Sequence, residues 1–512
     1  MKSLLKLFVT GLFLFVTLFT ANAQRLSDRK NFAYRLDSLF TLLSEQHSFN
    51  GNILVAEKGE IVYQKSFGFA NIEAHLLNTD SSAFQIGSLS KTFTATAVLQ
   101  LKEKGKLKLQ DSFVKYFPEF PYPDITTYQL LTHTSGLPDK EELFFQQIEQ
   151  HPEKVFTNND IIAAIHSFNR PPAFVAGSQW RYNNIGYALL AMLVEKVSGL
   201  PFATYLNKHI FLPAGMTQSY LLNAANSSIN SQVTGYLIRS HYLGDLEPIS
   251  QSKKVRPWSY NMRAFEGPTN IISTTRDLLR FDDALRNNKL LKRSTLQEAF
   301  TPSLLSSGMR TDDNGEFGKT SYGLGWFIPA DTTAGKIVMH TGREPGFFTF
   351  FLRNLSKDQA IIIMDNTEGN GFGGACKETF NLLNNAAFFP PVKYKQSLFL
   401  AYTKALYKNG ADNAITLFNQ FKTDTATYFM DERELNELGL ELLNDRHYDL
   451  ALEALKLCTI LYPGSWNTYD SYGKALYLSG KKQEAILMYE KSIAMNPRNE
   501  PGKKMLALIM GK

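Results

Sequence analysis

An α+β domain followed by an all-helical region is the fold class that the 512-residue sequence predicts. Strand signals cluster in two places, at residues 51–67 and 336–364, and the sequence between them is mostly helical in pattern. From about residue 392 onwards the sequence reads as helices without strand signals. We therefore expect one domain over residues 24–391 and a second, all-α domain over residues 392–512.

The first 23 residues have the pattern of a secretory signal peptide. Lys2 and Lys6 form a basic start, Leu7–Thr20 is largely apolar, and Ala21-Asn22-Ala23 is a small-residue cleavage signal. The apolar run is too short for a comfortable membrane span, although a retained N-terminal anchor is the alternative. No cysteine follows the cleavage site, so lipid attachment there is not expected. We expect a protein that is exported, either periplasmic or secreted.

Composition and charge exclude one class of partner. The net charge of +6 falls to +4 once Lys2 and Lys6 are removed with the signal peptide, and no dense basic run is present. Nucleic-acid binding is therefore not expected. The two cysteines, Cys376 and Cys458, are far apart and lack the spacing of metal ligands. A disulfide is possible in an exported protein, but two small buried side chains are favoured.

The first elements of the mature chain are a helix and a hairpin. Residues 29–47 carry an apolar stripe at helical spacing, formed by Phe32, Leu36, Leu39, Phe40 and Leu43. Two strand-like runs follow, Gly51–Ala56 and Ile61–Phe67. They flank the turn Glu57–Glu60, which predicts a β-hairpin.

Ser88 and Lys91 stand three residues apart at the start of a predicted helix that ends near Gly105. Positions i and i+3 share a helix face, so the Lys91 amine can reach the Ser88 hydroxyl and act as its base once it is neutral. Apolar neighbours would lower the pKa of Lys91 by desolvation; they are Phe84, Ile86, Leu89 and Phe93. The Ser-x-x-Lys spacing also arises by chance, so its assignment as catalytic depends on partner residues elsewhere in the chain.

Tyr182 and Asn184 are candidate partners just before a strongly apolar helix, Ala188–Val197. Residues two apart in extended chain point the same way. A tyrosine beside a lysine can have a lowered pKa and move protons, and an asparagine amide can bind a substrate amide and hold Lys91 in place. A tyrosine that only packs at the helix start beside an asparagine cap is the alternative.

A third candidate segment ends a predicted strand at His340-Thr341-Gly342. We expect His340 and Thr341 to face bound substrate as hydrogen-bond donors, and Gly342 to let a substrate backbone approach closely. The backbone N–H of Arg343 could pair with that of Ser88 as an oxyanion hole. A hairpin with an incidental histidine is the alternative. His133 could serve as a general base, but a structural histidine near a turn is favoured.

Three short motifs taken together resemble the serine β-lactamase and penicillin-binding-protein superfamily, on its class C and DD-peptidase side. Ser88-Leu89-Ser90-Lys91 matches its Ser-x-x-Lys, Tyr182-Asn183-Asn184 its Tyr-x-Asn, and His340-Thr341-Gly342 its Lys/His-Thr-Gly, in the family's order. The passages Leu130–Pro138 and Asn270–Leu279 also look like this family. The similarity covers about residues 28–390.

The resemblance implies an antiparallel sheet covered by helices, with an all-helical region inserted between the early and late strands. It implies a serine hydrolase in which Ser88 is acylated, Lys91 and Tyr182 move the proton, and the groups that contact the substrate are Asn184, His340, Thr341, Gly342 and Arg343. No metal or cofactor is implied, and no cluster of metal ligands is evident in the sequence.

Two departures from the family leave the substrate open. His340 stands where most related β-lactamases have lysine, which looks more like DD-carboxypeptidases, D-amino-acid peptidases and esterases of the same fold. Arg343 stands where a small residue is usual, and its guanidinium could bind a substrate carboxylate or point to solvent. A lactam, a D-amino-acid peptide and an ester are all candidate substrates. A sensor that penicillins acylate with little turnover is the alternative function.

The C-terminal region contains two segments that match each other at an offset of 34 residues. Leu435, Leu438, Gly439, Leu442, Ala451, Leu455 and Pro463 correspond to Tyr469, Tyr472, Gly473, Leu476, Ala485, Tyr489 and Pro497. This is the period of tetratricopeptide repeats, and residues 398–422 look like a further, degenerate helix pair. A surface for a protein partner is expected, and an appendage that only stabilises or dimerises the hydrolase is the alternative.

Overall fold

The computed structural model describes residues 29–222, 232–315, 318–388 and 395–511. The predicted signal peptide, residues 1–23, lies outside the described residues. The chain divides into two compact units. The first contains the described residues up to Leu237 and those from Pro248 to position 388. The second contains Ile238–Glu247 and residues 395–511.

An eight-stranded antiparallel sheet forms the centre of the first unit. Its strands are β1 (Gly51–Glu57), β2 (Glu60–Ser66), β10 (Asp312–Gly315), β11 (Gly318–Tyr322), β12 (Phe327–Pro329), β13 (Ile337–Glu344), β14 (Phe347–Asn354) and β15 (Gln359–Asp365). Their order is β10-β11-β12-β13-β14-β15-β1-β2. Gly51 of β1 pairs with Asp365 of β15, so the earliest and latest strands are neighbours. This arrangement confirms the predicted fold class.

Shorter strands complete the β-structure. They are β3 (Phe69–Asn71), β4 (Leu76–Leu77), β5 (Phe84–Gln85), β6 (Tyr220–Leu221), β7 (Tyr236–Ser240), β8 (Asp245–Pro248), β9 (Ile271–Ser273), β16 (Gln396–Ser397) and β17 (Tyr428–Phe429). A three-stranded sheet of order β5-β9-β6 fixes the segment just before Ser88. The Ile86 N–H extends this pairing by donating to Ile271 O at 3.0 Å.

Helices cover both faces of the large sheet. In the first unit they are α1 (residues 29–45), α2 (Ser90–Glu103), α3 (Thr127–Leu131), α4 (Lys140–Gln150), α5 (Ile161–Phe168), α6 (Asn184–Ser198), α7 (Phe202–Leu206), α8 (Leu212–Ala214), α9 (Thr275–Arg286), α10 (Arg293–Ala299) and α11 (Phe372–Leu383). Ile53 and Val55 of β1 pack in one apolar core with α1, whereas Leu54 and Ala56 pack in the core that contains α2. The alternation follows from the two-residue period of a strand.

None of the helices within the described ranges is by itself long and apolar enough to cross a membrane, although a pair bent by 76°, Asn184–Ser198 with Phe202–Ala214, passes the same test of length and composition. Most of α6 is buried in the core of the first unit. Both cysteines are also buried, Cys376 in the first unit and Cys458 in the second, as the sequence favoured.

The second unit is built from helix pairs. Its helices are α12 (Leu398–Asn409), α13 (Ala411–Phe421), α14 (Glu432–Asn444), α15 (Tyr448–Leu461), α16 (Trp466–Leu478), α17 (Lys482–Met495) and α18 (Glu500–Met510). The α14–α15 and α16–α17 pairs begin 34 residues apart, at Glu432 and Trp466. A methyl group on Gly439 would lie 2.6 Å from the Leu455 side chain, and one on Gly473 would lie 3.2 Å from the Tyr489 ring. Each glycine therefore lets its helix pair approach closely.

Residues 238–247 also belong to the second unit, although nothing in the sequence pattern separated them from the first. Tyr242 is buried with the helices of the second unit. The Thr403 hydroxyl donates to Tyr242 O at 3.0 Å, and the Tyr242 hydroxyl donates to Asp445 at 3.1 Å.

Candidate active site

Ser88 lies on a short 3₁₀ turn, Gly87–Leu89, that leads directly into α2. Gly87 has φ +51°, a conformation that glycine adopts without strain. A methyl group at Gly87 would come within 2.8 Å of the Arg343 backbone nitrogen. The glycine therefore brings the turn that carries Ser88 against strand β13. The predicted helix after Ser88 is confirmed, and Gly105 follows its end with φ +67°.

The Lys91 amine is fully buried and surrounded by three oxygens. Lys91 Nζ is 3.0 Å from Ser88 Oγ, 2.8 Å from Asn184 Oδ1 and 3.2 Å from Pro268 O. The four apolar side chains named from the sequence, Phe84, Ile86, Leu89 and Phe93, are buried in one core. This set of contacts brings the Ser-x-x-Lys motif and the Tyr-x-Asn motif together.

Burial lowers the pKa of Lys91 from its ordinary value to about 7. The carboxylates of Asp139 and Glu344 oppose this change, whereas the charge of Lys140 adds to it. A neutral amine keeps two N–H groups and one lone pair. The Asn184 and Pro268 oxygens can only accept hydrogen bonds, so they hold the two N–H groups. The lone pair is then left to accept the proton of the Ser88 hydroxyl.

The pKa of the Tyr182 phenol differs from the expectation drawn from the sequence. Burial raises the pKa of its phenol well above the ordinary value, and the nearby Ser88 hydroxyl only partly opposes this. The sequence had suggested that a neighbouring lysine would lower this pKa. Lys91 Nζ does lie over the Tyr182 ring, 4.7 Å from its centroid. Desolvation nevertheless dominates, so the phenol keeps its proton. Tyr182 can therefore give a proton to a reacting group but does not serve as the base.

Asn183 and Asn184 divide two tasks at the start of α6. Asn183 caps the helix, since its Oδ1 accepts from the Gly186 N–H at 2.7 Å. Asn184 presents Oδ1 to Lys91, as expected for an asparagine that holds the lysine in place. Its amide nitrogen donates to Asp139 Oδ2 at 2.9 Å.

Asp139 is a residue of this site that the motifs did not reveal. It precedes α4 and forms a capping box with Glu142. Its carboxylate also accepts hydrogen bonds from the backbone N–H groups of Asn184 at 2.8 Å and Ile185 at 3.2 Å. The Asp-x-x-Glu pattern at positions 139–142 is a helix-start signal that could have marked it as a cap, although not as a neighbour of Lys91.

Contrary to the expectation from the sequence, His340 does not face the cleft. Its side chain is fully buried, and its ring nitrogens lie 3.1 Å from the Tyr322 hydroxyl and 2.6 Å from Thr341 O. Burial lowers the pKa of His340 to about 3, and the charge of Lys91 acts in the same direction. The histidine is therefore neutral and bonded within the protein, because Tyr322 and Phe327 enclose it.

Gly342 lies in close contact with the segment before Ser88. A methyl group there would lie 1.9 Å from Ile86 O and 2.4 Å from Thr349 Oγ1. The glycine thus allows close packing of β13 on the segment before Ser88, and the close approach of a substrate backbone stays a prediction. Thr341, its neighbour in the strand, is partly exposed.

Arg343 points its side chain outward. The side chain is 73% exposed, and its guanidinium lies 3.5 Å from the Glu368 carboxylate and 4.8 Å from the centre of the Phe348 ring. Arg343 therefore points largely to solvent at the rim of the cleft, and its binding of a substrate carboxylate stays a prediction.

His133 has a structural hydrogen bond, which agrees with the favoured alternative. Its Nδ1 accepts from the Asn183 N–H at 3.1 Å, and burial holds the pKa of the imidazole well below its usual range. The ring packs against Tyr182, with 4.3 Å between centroids. It therefore supports the Tyr182 ring from behind.

A cleft of about 390 Å³ opens at Ser88. Its lining includes Ser88, Lys140, Glu141, Tyr182, Asn184, Trp258, Thr269, Arg343, Glu344 and Glu368. An adjoining cavity of about 430 Å³ shares Lys140, Trp258, Thr269, Glu344 and Pro345 with it. In the part of the chain that the structure describes, no group of three or more histidine, cysteine or acidic residues is placed to hold a metal ion.

Comparison with known proteins agrees with this geometry. The model of the family described as β-lactamase matches residues 36–382. The chain belongs to the β-lactamase family. This family member is 34% identical to penicillin-binding protein 4* of Bacillus subtilis (strain 168) over 342 residues, which is 66% of this chain and 73% of the relative. The superfamily resemblance drawn from the three motifs is therefore confirmed.

Solved structures show the same fold for this member of the β-lactamase family. A penicillin-binding protein from Bacillus halodurans superposes with a TM-score of 0.56 and 25% identity, over 67% of this chain and 98% of the other. A class C β-lactamase superposes with a TM-score of 0.56 and 22% identity, over 71% of this chain and 98% of the other. Both likenesses concern the fold of the first unit.

Proposed function

We propose that this protein is a serine hydrolase that cleaves an amide, a lactam or an ester through an acyl-enzyme on Ser88. One observation carries the proposal: a fully buried lysine amine with a pKa of about 7 lies 3.0 Å from a serine hydroxyl that opens onto a cleft. Such an amine is partly neutral at neutral pH, which is what a general base for serine requires.

The proposed reaction has two halves. In the first, neutral Lys91 takes the Ser88 proton while Ser88 Oγ bonds to the substrate carbonyl carbon. The bond to the leaving nitrogen or oxygen then breaks, and that atom receives a proton from the Tyr182 hydroxyl, which is restored from the Lys91 ammonium. In the second half, neutral Lys91 takes a proton from water as the water oxygen bonds to the ester carbon. The bond from that carbon to Ser88 Oγ then breaks, and Lys91 returns the proton to Ser88 Oγ, which releases the acid and restores free Ser88. Tyr182 acts as a donor here because its pKa is raised.

The developing oxyanion would be held by the backbone N–H groups of Ser88 and Arg343. The close approach of Gly87 to the Arg343 backbone supports this assignment. Each such donor is typically worth about 3 kcal/mol of transition-state stabilisation. We assign substrate contacts to Asn184 and Arg343, which line the cleft, and to the partly exposed Thr341. The similarity to a penicillin-binding protein supports lactams and D-amino-acid peptides as substrates to test first.

The decisive experiment is acylation of the purified mature protein by a fluorescently labelled penicillin, with Ser88→Ala as the control. A panel of a chromogenic lactam, a D-alanyl peptide and a short-chain ester is assayed beside it. We expect labelling and turnover that Ser88→Ala abolishes. If the wild type neither labels nor cleaves any panel member, the proposal fails. Fast lactam turnover would identify a β-lactamase. Cleavage of the ester or the D-peptide would identify a relative of β-lactamases, and labelling without turnover would identify the penicillin-binding sensor.

We also propose that the protein is exported, on the strength of the signal-peptide pattern in residues 1–23. Expression in a bacterial host with an export pathway, followed by N-terminal sequencing, tests this. Cleavage after Ala23, leaving Gln24 as the first residue, is the expected result. An uncleaved N-terminus in the membrane fraction would favour the anchor.

We propose further that the second unit is a tetratricopeptide-like repeat that offers a surface to a protein partner. The 34-residue offset of its helix pairs and the equivalent positions of Gly439 and Gly473 support the repeat. Leu455 and Tyr489, the residues that the two glycines contact, are also 34 positions apart.

A further inference from the structure

The carboxylate of Asp139 joins the starts of two helices. Asp139 Oδ1 accepts from the Lys140 N–H at 2.9 Å, where α4 begins, and from the Asn184 N–H at 2.8 Å, where α6 begins. A negative charge at a helix N-terminus is favourable, and here one carboxylate serves two of them. Asp139 therefore fixes the backbone of Asn184 relative to α4.

The second carboxylate oxygen fixes the side chain of the same residue. Asp139 Oδ2 accepts from Asn184 Nδ2 at 2.9 Å, while Asn184 Oδ1 lies 2.8 Å from Lys91 Nζ. An amide group is planar, so a nitrogen held on Asp139 leaves the oxygen facing Lys91. The flipped amide would place its oxygen against a carboxylate and its N–H groups against an amine, and both contacts would be lost.

We propose that Asp139 is a positioning residue for acyl transfer at Ser88, acting through the side-chain amide of Asn184 on Lys91. This inference rests on the proposed function of the Ser88 site. Nothing in the Ser-x-x-Lys or Tyr-x-Asn motifs assigns Asp139 a role. Its partners, in contrast, are the backbone and the side chain of a residue that touches the proposed base.

The charge of Asp139 has a second effect on the same amine. It raises the pKa of Lys91 against the desolvation that lowers it. The other groups that face or act on Lys91 are Lys140, Glu344, His133 and His340, and the rings of Tyr182 and Tyr187. Loss of the Asp139 charge, or of the Asn184 oxygen that accepts from the ammonium, would lower the pKa of Lys91 further. Replacement of Asp139 therefore lowers the pKa of Lys91 both through the lost charge and through the displaced Asn184 amide.

The test is the rate of Ser88 acylation by a labelled penicillin, measured from pH 5 to pH 9 in wild type and Asp139→Asn. We expect the plateau rate to fall by about 10-fold to 100-fold, because Lys91 is no longer held in place. We also expect the acidic limb of the profile to move to lower pH by about one unit. A role confined to helix capping would reduce the amount of folded protein without moving this limb.

Two further variants separate positioning from folding. Asp139→Ser keeps an N-cap side chain for α4 but lacks the second oxygen that holds the Asn184 amide, so it should show the same kinetic loss in a folded protein. Asp431→Asn is the matched control. Asp431 caps α14 of the second unit by accepting from the Glu434 N–H at 3.0 Å. This variant should leave the rate and the limb unchanged.

A double substitution tests the path through Asn184. If Asp139 acts through that amide, Asp139→Asn should slow acylation by less than 3-fold when Asn184→Ala is already present. The proposal is overturned if Asp139→Asn and Asp139→Ser fold and keep both the wild-type plateau rate and the wild-type position of the acidic limb. It is also overturned if the rate losses of Asp139→Asn and Asn184→Ala multiply in the double variant. Wild-type protein that is never acylated would instead overturn the proposed function, and this inference with it.

Discussion

At the scale of single residues, the chemistry depends on the protonation of Lys91. A fully buried ammonium is costly, and the three surrounding oxygens and the nearby Asp139 and Glu344 compensate only in part. The balance brings the pKa of Lys91 to about 7. Tyr182, with its raised pKa, stays protonated over the same range. The two groups thus have opposite tasks, and Lys91 is the proposed base.

The pKa of Lys91 predicts how stability depends on pH. Above about pH 7 the folded protein has lost the Lys91 proton, whereas an unfolded lysine keeps its proton until its ordinary pKa near 10.5. The unfolded state then binds more protons, so stability rises with pH. The free energy of unfolding of the wild type, relative to Lys91→Met, should increase by roughly 1 kcal/mol per pH unit between pH 7 and 9.

Urea unfolding at several pH values measures this difference. The exposed Lys289, replaced by methionine, is the control and should show no such slope. A flat or falling difference for Lys91→Met would mean that the buried amine keeps its proton.

Residue types and spacing predicted which side chains meet, but not what each one faces. Ser88 and Lys91 come together as expected because they are three positions apart on one turn. Asn184, 93 positions from Lys91, joins them as the Tyr-x-Asn motif had indicated. His340 could not be placed from the sequence, since its burial depends on Tyr322 from another strand. Asp139 was missed because it lies outside the three motifs and the sequence marks it only as a helix cap, whereas its contacts with Asn184 arise from tertiary packing.

Among the secondary-structure elements, strand β13 and the turn before α2 pack tightly against each other. The turn needs glycine at position 87 and the strand needs glycine at position 342, since each backbone lies against the other segment. The two glycines bring the Arg343 backbone beside Ser88. The proposed oxyanion hole therefore depends on packing between two elements that are over 250 residues apart in the chain.

Gly342→Ala tests this packing. The added methyl group would overlap Ile86 O, a backbone atom that cannot rotate away, so we expect a loss of about 1–3 kcal/mol in stability. Acylation of Ser88 should also slow, because the turn is displaced. Gly374→Ala is a matched control: it lies on α11 with no atom within 4 Å of the new methyl group, and it should be neutral or slightly stabilising. Equal effects of the two substitutions would argue against a packed strand and turn.

At the scale of the whole molecule, two units have separate apolar cores. The two clusters of strands, the helical region between them and the helical C-terminal region were predictable, because strand and helix periodicities differ. The inclusion of residues 238–247 in the second unit was not, since it arises from tertiary contacts of Tyr242 with Thr403 and Asp445.

A bulky substitution at Gly439 tests the proposed repeat packing. Gly439→Leu would force α14 away from Leu455, and we expect a loss of about 2 kcal/mol in the stability of the second unit. The exposed Gly464, which has no atom within 4 Å of an added methyl group, is the control for the same change. Hydrogen exchange should quicken in α14–α17 for Gly439→Leu but not for Gly464→Leu. Unchanged exchange in both variants would contradict close packing of the helix pair.

If neutral Lys91 activates Ser88, the rate of Ser88 acylation by a labelled penicillin must follow the deprotonation of Lys91. We expect a rate that rises with pH, reaches half its plateau near pH 7 and is about 100-fold below the plateau at pH 5. Lys91→Met should lower the plateau by about 10² to 10⁴ and remove this limb. A rate that is independent of pH between 5 and 9, or a limb that persists in Lys91→Met, would contradict activation by neutral Lys91.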